Sequence, residues 1–192
     1  MQMKYVSLSA CFGMALLSIP AIASDTGTIT FTGSIVGTTC NVNIGGSGEN
    51  ADVSLRSGNA TALVAPGSTD GDTRFSLQLS GCAGGAPEAT AAKAFFQPGS
   101  TVTADGRLMN TAVTDAASNV TLQLLDGQDN SVINIGDYSQ TTHSAGYVNI
   151  SDALSSGNDG TVELPYYVRY HSEGGVTAGA VTSQVTYAIT YQ

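Results

Sequence analysis

Short runs of alternating apolar and polar residues, each stopped by a Gly-, Asp- or Asn-rich cluster, constrain this chain most. A period of two places every second side chain on one face of an extended strand, so each run offers a single face to a core. Strands are read at 40–44, 52–55, 73–80, 93–97, 119–125, 131–135, 146–150 and 162–171, and in the third Phe75, Leu77 and Leu79 share a face. Asp70-Gly71-Asp72, Asp105-Gly106, the stretch 126–130, the stretch 156–160 and Gly174-Gly175 supply the turns between them. Helix is confined to at most one turn, near 108–111 or 150–154. Many short strands at this spacing imply a sandwich or a barrel.

The two ends of the chain add a constraint of their own. In 27–36 the odd positions Gly27, Ile29, Phe31, Gly33 and Ile35 are apolar or Gly, while the even ones through Ser34 are small and polar. In 181–192 Val185, Tyr187, Ile189 and Tyr191 share one face. The first segment runs almost directly into strand 40–44, which leaves no turn for a hairpin with that neighbour. Its apolar face therefore suits another molecule.

Residues 1–23 read as an export signal, with Lys4, an apolar stretch over 11–19, Pro20, and the small-x-small Ala21-Ile22-Ala23 before cleavage. Leu8-Ser9-Ala10-Cys11 has the residue types of a lipid-attachment site but precedes the apolar stretch instead of following it. No later run approaches the roughly 20 apolar residues of a spanning helix, so no membrane insertion is expected. Without Lys4, five Lys and Arg face fifteen Asp and Glu. That balance argues against nucleic acid and anionic membrane surfaces as partners, since both reward clustered cations. Cys11 leaves with the signal, and in an exported chain the remaining Cys40 and Cys82 most simply form one disulfide, which favours an immunoglobulin-like sandwich.

Chemistry-bearing motifs are sparse. Asp70, Asp72, Asp126 and Asp129 could donate oxygens to calcium, but none has the spacing of a known calcium loop, and Asp-Gly is first a turn former. His143 and His171 stand without a second His or Cys at ligand spacing, and no Gly-x-Ser-x-Gly elbow, phosphate loop or dinucleotide fingerprint occurs. No metal, cofactor or catalytic residue is expected, and the chain reads as a non-enzyme. The sequons at Asn59, Asn119 and Asn149 carry no weight in a chain so rich in Asn, Ser and Thr.

Taken together, the motifs resemble the pilin subunits of chaperone-usher fimbriae, the type 1 and P pilus family of Gram-negative bacteria. The resemblance rests on Gly27-x-Ile29-x-Phe31-x-Gly33-x-Ile35-Val36 leading to Thr39-Cys40-x-Val42, and on Phe75-x-Leu77-x-Leu79-Ser80-Gly81-Cys82. It continues through Asn119-Val120-Thr121-Leu122-Gln123-Leu124-Leu125-Asp126, Val168-Arg169-Tyr170, Gly179 and the penultimate Tyr191. It departs at the Gly-rich stretch before Val53-Ser54-Leu55-Arg56, and in the short lead Ser24-Asp25-Thr26.

The resemblance implies an all-β, incomplete immunoglobulin-like sandwich missing its last strand, with an N-terminal donor-strand extension. The expected division is 1–23 signal, 24–36 extension and 37–192 pilin domain. Ile29, Phe31, Gly33 and Ile35 would fill a neighbour's groove, while Gly179, Val185, Tyr187, Ile189 and Tyr191 would form the acceptor groove and the surface read by chaperone and usher. The implied partners are identical or related subunits, a periplasmic chaperone and an outer-membrane usher; the implied location is an extracellular fimbrium reached through the periplasm. Two other classes are weighed: a secreted carbohydrate-binding module that completes its own sandwich, and an enzyme on a β-sandwich, for which no site is visible.

Overall fold

The computed structural model describes residues 28–33, 35–84, 88–155 and 160–192, so the expected signal 1–23 lies outside the described residues. A compact body spans 34–192. Its strands are β1 (Thr39–Ile44), β2 (Thr69–Ala83), β3 (Ala91–Phe96), β4 (Leu108–Met109), β5 (Val120–Asp126), β6 (Val132–Ile133), β7 (Val148–Asn149), β8 (Thr161–Ser172) and β9 (Tyr187–Tyr191). They form two antiparallel sheets, one ordered β1-β2-β8-β5-β4 with β6 also on β5, the other β7-β3-β9.

The layers meet on the faces that the alternation marks. Leu77, Leu79, Leu122, Leu124, Leu164 and Val168 of the large sheet pack on Ala92, Ala94 and Phe96 of the small one. Phe75, Phe96 and Tyr166 join the layers as an aromatic cluster, with ring centroids 5.1 Å apart for Phe96–Tyr166 and 5.6 Å for Phe75–Tyr166. Helix α2 (Ser151–Ser155) closes one end with Ala153, and Ile150 just before it is fully buried. On the outer face of β5, Gln123 lies opposite Arg169 and accepts hydrogen bonds from its Nε (3.0 Å) and Nη2 (2.8 Å). The two motif residues are therefore one cross-strand pair.

The disulfide joins Cys40 of β1 to Cys82 of β2. The β1–β2 register slips between Thr39 and Asn41, opposite Gly81, whose φ of 56° is open to glycine at little cost. This bulge carries Cys82 to a Cα–Cα distance of 4.0 Å from Cys40. Gly-Cys is thus a geometric unit.

Three expectations need correction. Residues 52–55 are not a strand; they run irregularly, with Leu55 half-buried. Residues 108–111 hold a two-residue strand and no helical turn, because Leu108 and Met109 pair with Leu122 and Thr121 of β5. Helix α1 (Ser139–Thr142) was missed, since its polar Ser-Gln-Thr-Thr sequence carries no apolar period.

Candidate functional site

Among the described residues, the backbone of 180–192 is tied along one edge only. Ala180 C=O accepts from Ala117 N–H (2.9 Å) and its N–H donates to Asp115 C=O (2.7 Å). Thr182 C=O accepts from Thr111 N–H (2.7 Å), Gln184 C=O from Thr101 Oγ1 (2.7 Å) and Thr186 C=O from Gln97 N–H (2.8 Å). Gln192 and Ala91 exchange both of their backbone bonds. Every one of these residues of 180–192 is even-numbered. Extended backbone sends the polar groups of alternate residues to opposite sides, so Val181, Ser183, Val185, Tyr187, Ile189 and Tyr191 direct theirs away from β3. Among the described residues no strand pairs with that edge.

Strand β1 presents a matching open edge. The N–H of Cys40 donates to the Tyr191 hydroxyl (3.0 Å) and that of Ile44 to Gly48 C=O in the following turn (2.9 Å), so both point away from β2. Period two puts Val42 with them. The inward side chains of the two walls, Cys40, Val42 and Ile44 on one and Val181, Val185, Tyr187, Ile189 and Tyr191 on the other, pack on the core yet stay only half-buried. Leu79 and Ile150 in the same core are 0% exposed. Core surface therefore lies uncovered along the gap between β1 and β9.

Two phenols reach across this gap. Tyr187 donates its O–H to Glu49 C=O (2.9 Å), and Tyr191 accepts from Cys40. Burial raises both phenol pKa values above the ordinary one, and the Glu49 charge adds to the effect at Tyr187. Ser183, the polar member of the inward row, keeps a buried hydroxyl without a hydrogen-bond partner among the described residues.

The outer edge of β3 in the same sheet is handled differently. Strand β7 pairs with Ala91 and Ala92, the Tyr166 hydroxyl accepts the Ala94 N–H (2.8 Å), and the Gln140 side-chain amide both accepts from Phe96 N–H (2.9 Å) and donates to Phe96 C=O (3.0 Å). One amide stands in for a strand. Edges left unpaired are templates for other chains, and the small sheet blocks one edge with side chains while leaving the other open. Sequence reasoning missed Gln140, Tyr166 and the β1 wall; only the amphipathic alternation of 40–44 hinted at the last.

The remaining expected residues fall as follows. Ile29, Phe31 and Ile35 are exposed at 79%, 90% and 93%, Gly33 has no neighbour within 4 Å of a would-be Cβ, and the described part of 28–36 takes no regular strand. Gly179 lies just before the open edge, where a Cβ would collide with the backbone of Asp115, Ala116 and Ala117. Its role in the chain is close approach.

The family model of type-1 fimbrial protein A matches residues 55–192. The major fimbrial subunit SMF-1 of Stenotrophomonas maltophilia is 37% identical over 183 residues, covering 93% of this chain and 99% of that protein. The F17 fimbrial protein of Escherichia coli is 36% identical, covering 93% and 94%. In fold, the crystal structure of the P pilus rod subunit PapA superposes with a TM-score of 0.52 at 18% identity, over 79% of this chain and 99% of that one. A sandwich with an unpaired strand edge, the Gly-Cys bulge and these full-length likenesses lead to one conclusion: the chain belongs to the type-1 fimbrial protein A family and is a structural subunit of a fimbria.

Proposed function

We propose that this subunit polymerises by lending a strand: residues 24–36 of one copy lie in the gap between β1 and β9 of the next, with Ile29, Phe31, Gly33 and Ile35 facing its core. The observation that carries this reading is the selective opening of one edge: among the described residues no strand pairs with the outward backbone of Val185, Tyr187 and Ile189 on one side or of Val42 on the other, and Cys40 N–H is met only by the Tyr191 hydroxyl. A donated strand bonds to both walls. Its apolar row covers the half-buried faces of Val185, Tyr187 and Ile189, and its backbone would offer the Ser183 hydroxyl a hydrogen-bond partner.

The energetics favour a durable joint. Burying Ile29, Phe31 and Ile35 contributes about 1.5–3 kcal/mol each, and ladder hydrogen bonds about 1 kcal/mol apiece, giving on the order of 10 kcal/mol before ordering costs. Gly33 suits a place where the acceptor backbone comes close. Before assembly the same gap would be filled by a periplasmic chaperone and exchanged at an outer-membrane usher, after export directed by residues 1–23, and the product is an extracellular fimbrium. The subunit has no catalytic step in this scheme. Deleting 24–36 tests it: the chaperone-bound subunit should persist while fibres vanish from the surface. Fibres formed by the deletion variant would sink the proposal.

A further inference from the structure

Away from the β1–β9 gap, the β5–β6 turn meets the chain after α1 around a cavity of about 380 Å³ lined by Lys93, Asp126, Ser131, Gln140, His143 and Tyr166, among others. Asp126, Asp129 and His143 come together there, with one ligand-capable atom from each lying within 4.8 Å of the others. His143 Nε2 is 2.9 Å from Asp129 Oδ2 and 3.1 Å from Ser131 Oγ. In sequence His143 lacks a metal-ligand neighbour; folding gives it two carboxylates.

Asp126 supplies an independent indication. It is only 5% exposed, yet among the described residues it has no ion pair within 4.0 Å. Its Oδ1 accepts the Gln128 N–H (2.8 Å), whereas Oδ2, packed against Gly146, receives no hydrogen bond from the described residues. The buried Lys93 ammonium feels the Asp126 charge but forms no ion pair with it: it donates to His143 C=O (2.8 Å) and sits 4.5 Å from the centre of the Tyr147 ring. A buried carboxylate with no cation in direct contact is costly. A cation bound beside it would offset that cost.

We propose that Asp126, Asp129 and His143 form a binding site for a divalent late first-row metal, Zn²⁺ in the first instance. An imidazole nitrogen with two carboxylate oxygens is a donor set for zinc-class ions and not for calcium or magnesium, which take oxygen throughout. Zinc ligands at about 2.0–2.2 Å from the ion stand roughly 3.5 Å apart in a tetrahedron. The observed grouping lies on the order of an ångström from that spacing, and two of its members, Asp126 and His143, line the cavity. Zinc takes the place of the direct contact between His143 Nε2 and Asp129 Oδ2, joining the β5–β6 turn to the α1 segment.

The test uses the full mature chain, purified as surface fibres or from the periplasm and stripped of metal, titrated calorimetrically with ZnCl₂. The expected result is one Zn²⁺ per subunit, with affinity falling tenfold or more in both His143→Ala and the isosteric Asp129→Asn. His171→Ala, which alters the other histidine beside Glu173, should bind like wild type. Absence of Zn²⁺ binding, binding unchanged in His143→Ala, equal loss in His171→Ala, or a response to Ca²⁺ alone would overturn the assignment. Failure of both ligand variants to assemble would assign the pair to folding and overturn it as well.

Discussion

Replacing Phe31 with Arg tests the lent strand at its largest side chain. Phe31 is 90% exposed before assembly, so nearly all of its apolar surface is available for burial, at about 1.5–3 kcal/mol. Phe31→Ala would leave a cavity as well, for a loss of about 3 kcal/mol or a little more. That is roughly a hundredfold in the equilibrium between joined and separated subunits. Phe31→Arg adds an unpaired guanidinium in a dry groove, costing several kcal/mol more and outweighing what Ile29 and Ile35 together contribute. Thr30→Arg is the matched control, since the period of two turns residue 30 to the opposite face. Surface extracts run on unheated detergent gels should show a ladder of joined subunits for wild type and Thr30→Arg and none for Phe31→Arg. Periplasmic subunit should be present in all three strains. An intact ladder from Phe31→Arg, or equal loss from Thr30→Arg, would refute the reasoning.

Other perturbations probe the frame around the gap. Gln140→Ala strips the cap from β3 and leaves the buried N–H of Phe96 unpaired, while its C=O keeps the Gly136 N–H; stability should fall by about 1–3 kcal/mol, and an unmoved denaturation midpoint would contradict the edge-blocking role. Gly179→Ala forces a Cβ against the backbone of 115–117 and should cut the yield of folded subunit through overpacking of about 1–3 kcal/mol, so wild-type yield would contradict the close approach. Glu173 carries a pH prediction. Desolvation raises its pKa, but the Thr121 hydrogen bond, Arg107 and His171 together bring it below the ordinary 4.5. In that window the unfolded chain holds the proton more tightly, so the stability from Glu173 is present above pH 4.5 and lost as pH falls through the folded value. Glu173→Gln should flatten this part of the acid limb in denaturation measured at successive pH values, and a superimposable acid limb would remove Glu173 from it.

Much of the sandwich was legible because its core strands alternate cleanly. Leu77 and Leu79, Leu122 and Leu124, and Val162 and Leu164 are all buried where the period of two puts them. The misses share a cause. Residues 52–55 alternate but find no partner strand among the described residues, and Leu108-Met109 is held by β5 against a weak local signal. The open edge was half visible: the inward row Val185, Tyr187, Ile189 and Tyr191 is written in the sequence, whereas the blocking of β3 by Gln140 and Tyr166 depends on contacts spanning 44 and 72 residues, which no local pattern records. The same holds for Asp126, Asp129 and His143. Turn chemistry explains the two aspartates locally, and only the fold brings the histidine to them.

The most direct measurement is a cryo-electron microscopy map of the native surface fibre, at a resolution that traces side chains. The account predicts residues 28–36 of each subunit as an added strand between β1 and β9 of its neighbour, bonded to the backbone of Val185, Tyr187 and Ile189, with Phe31 buried. A map with that gap filled by the subunit's own chain, or with 28–36 outside it, would contradict the account.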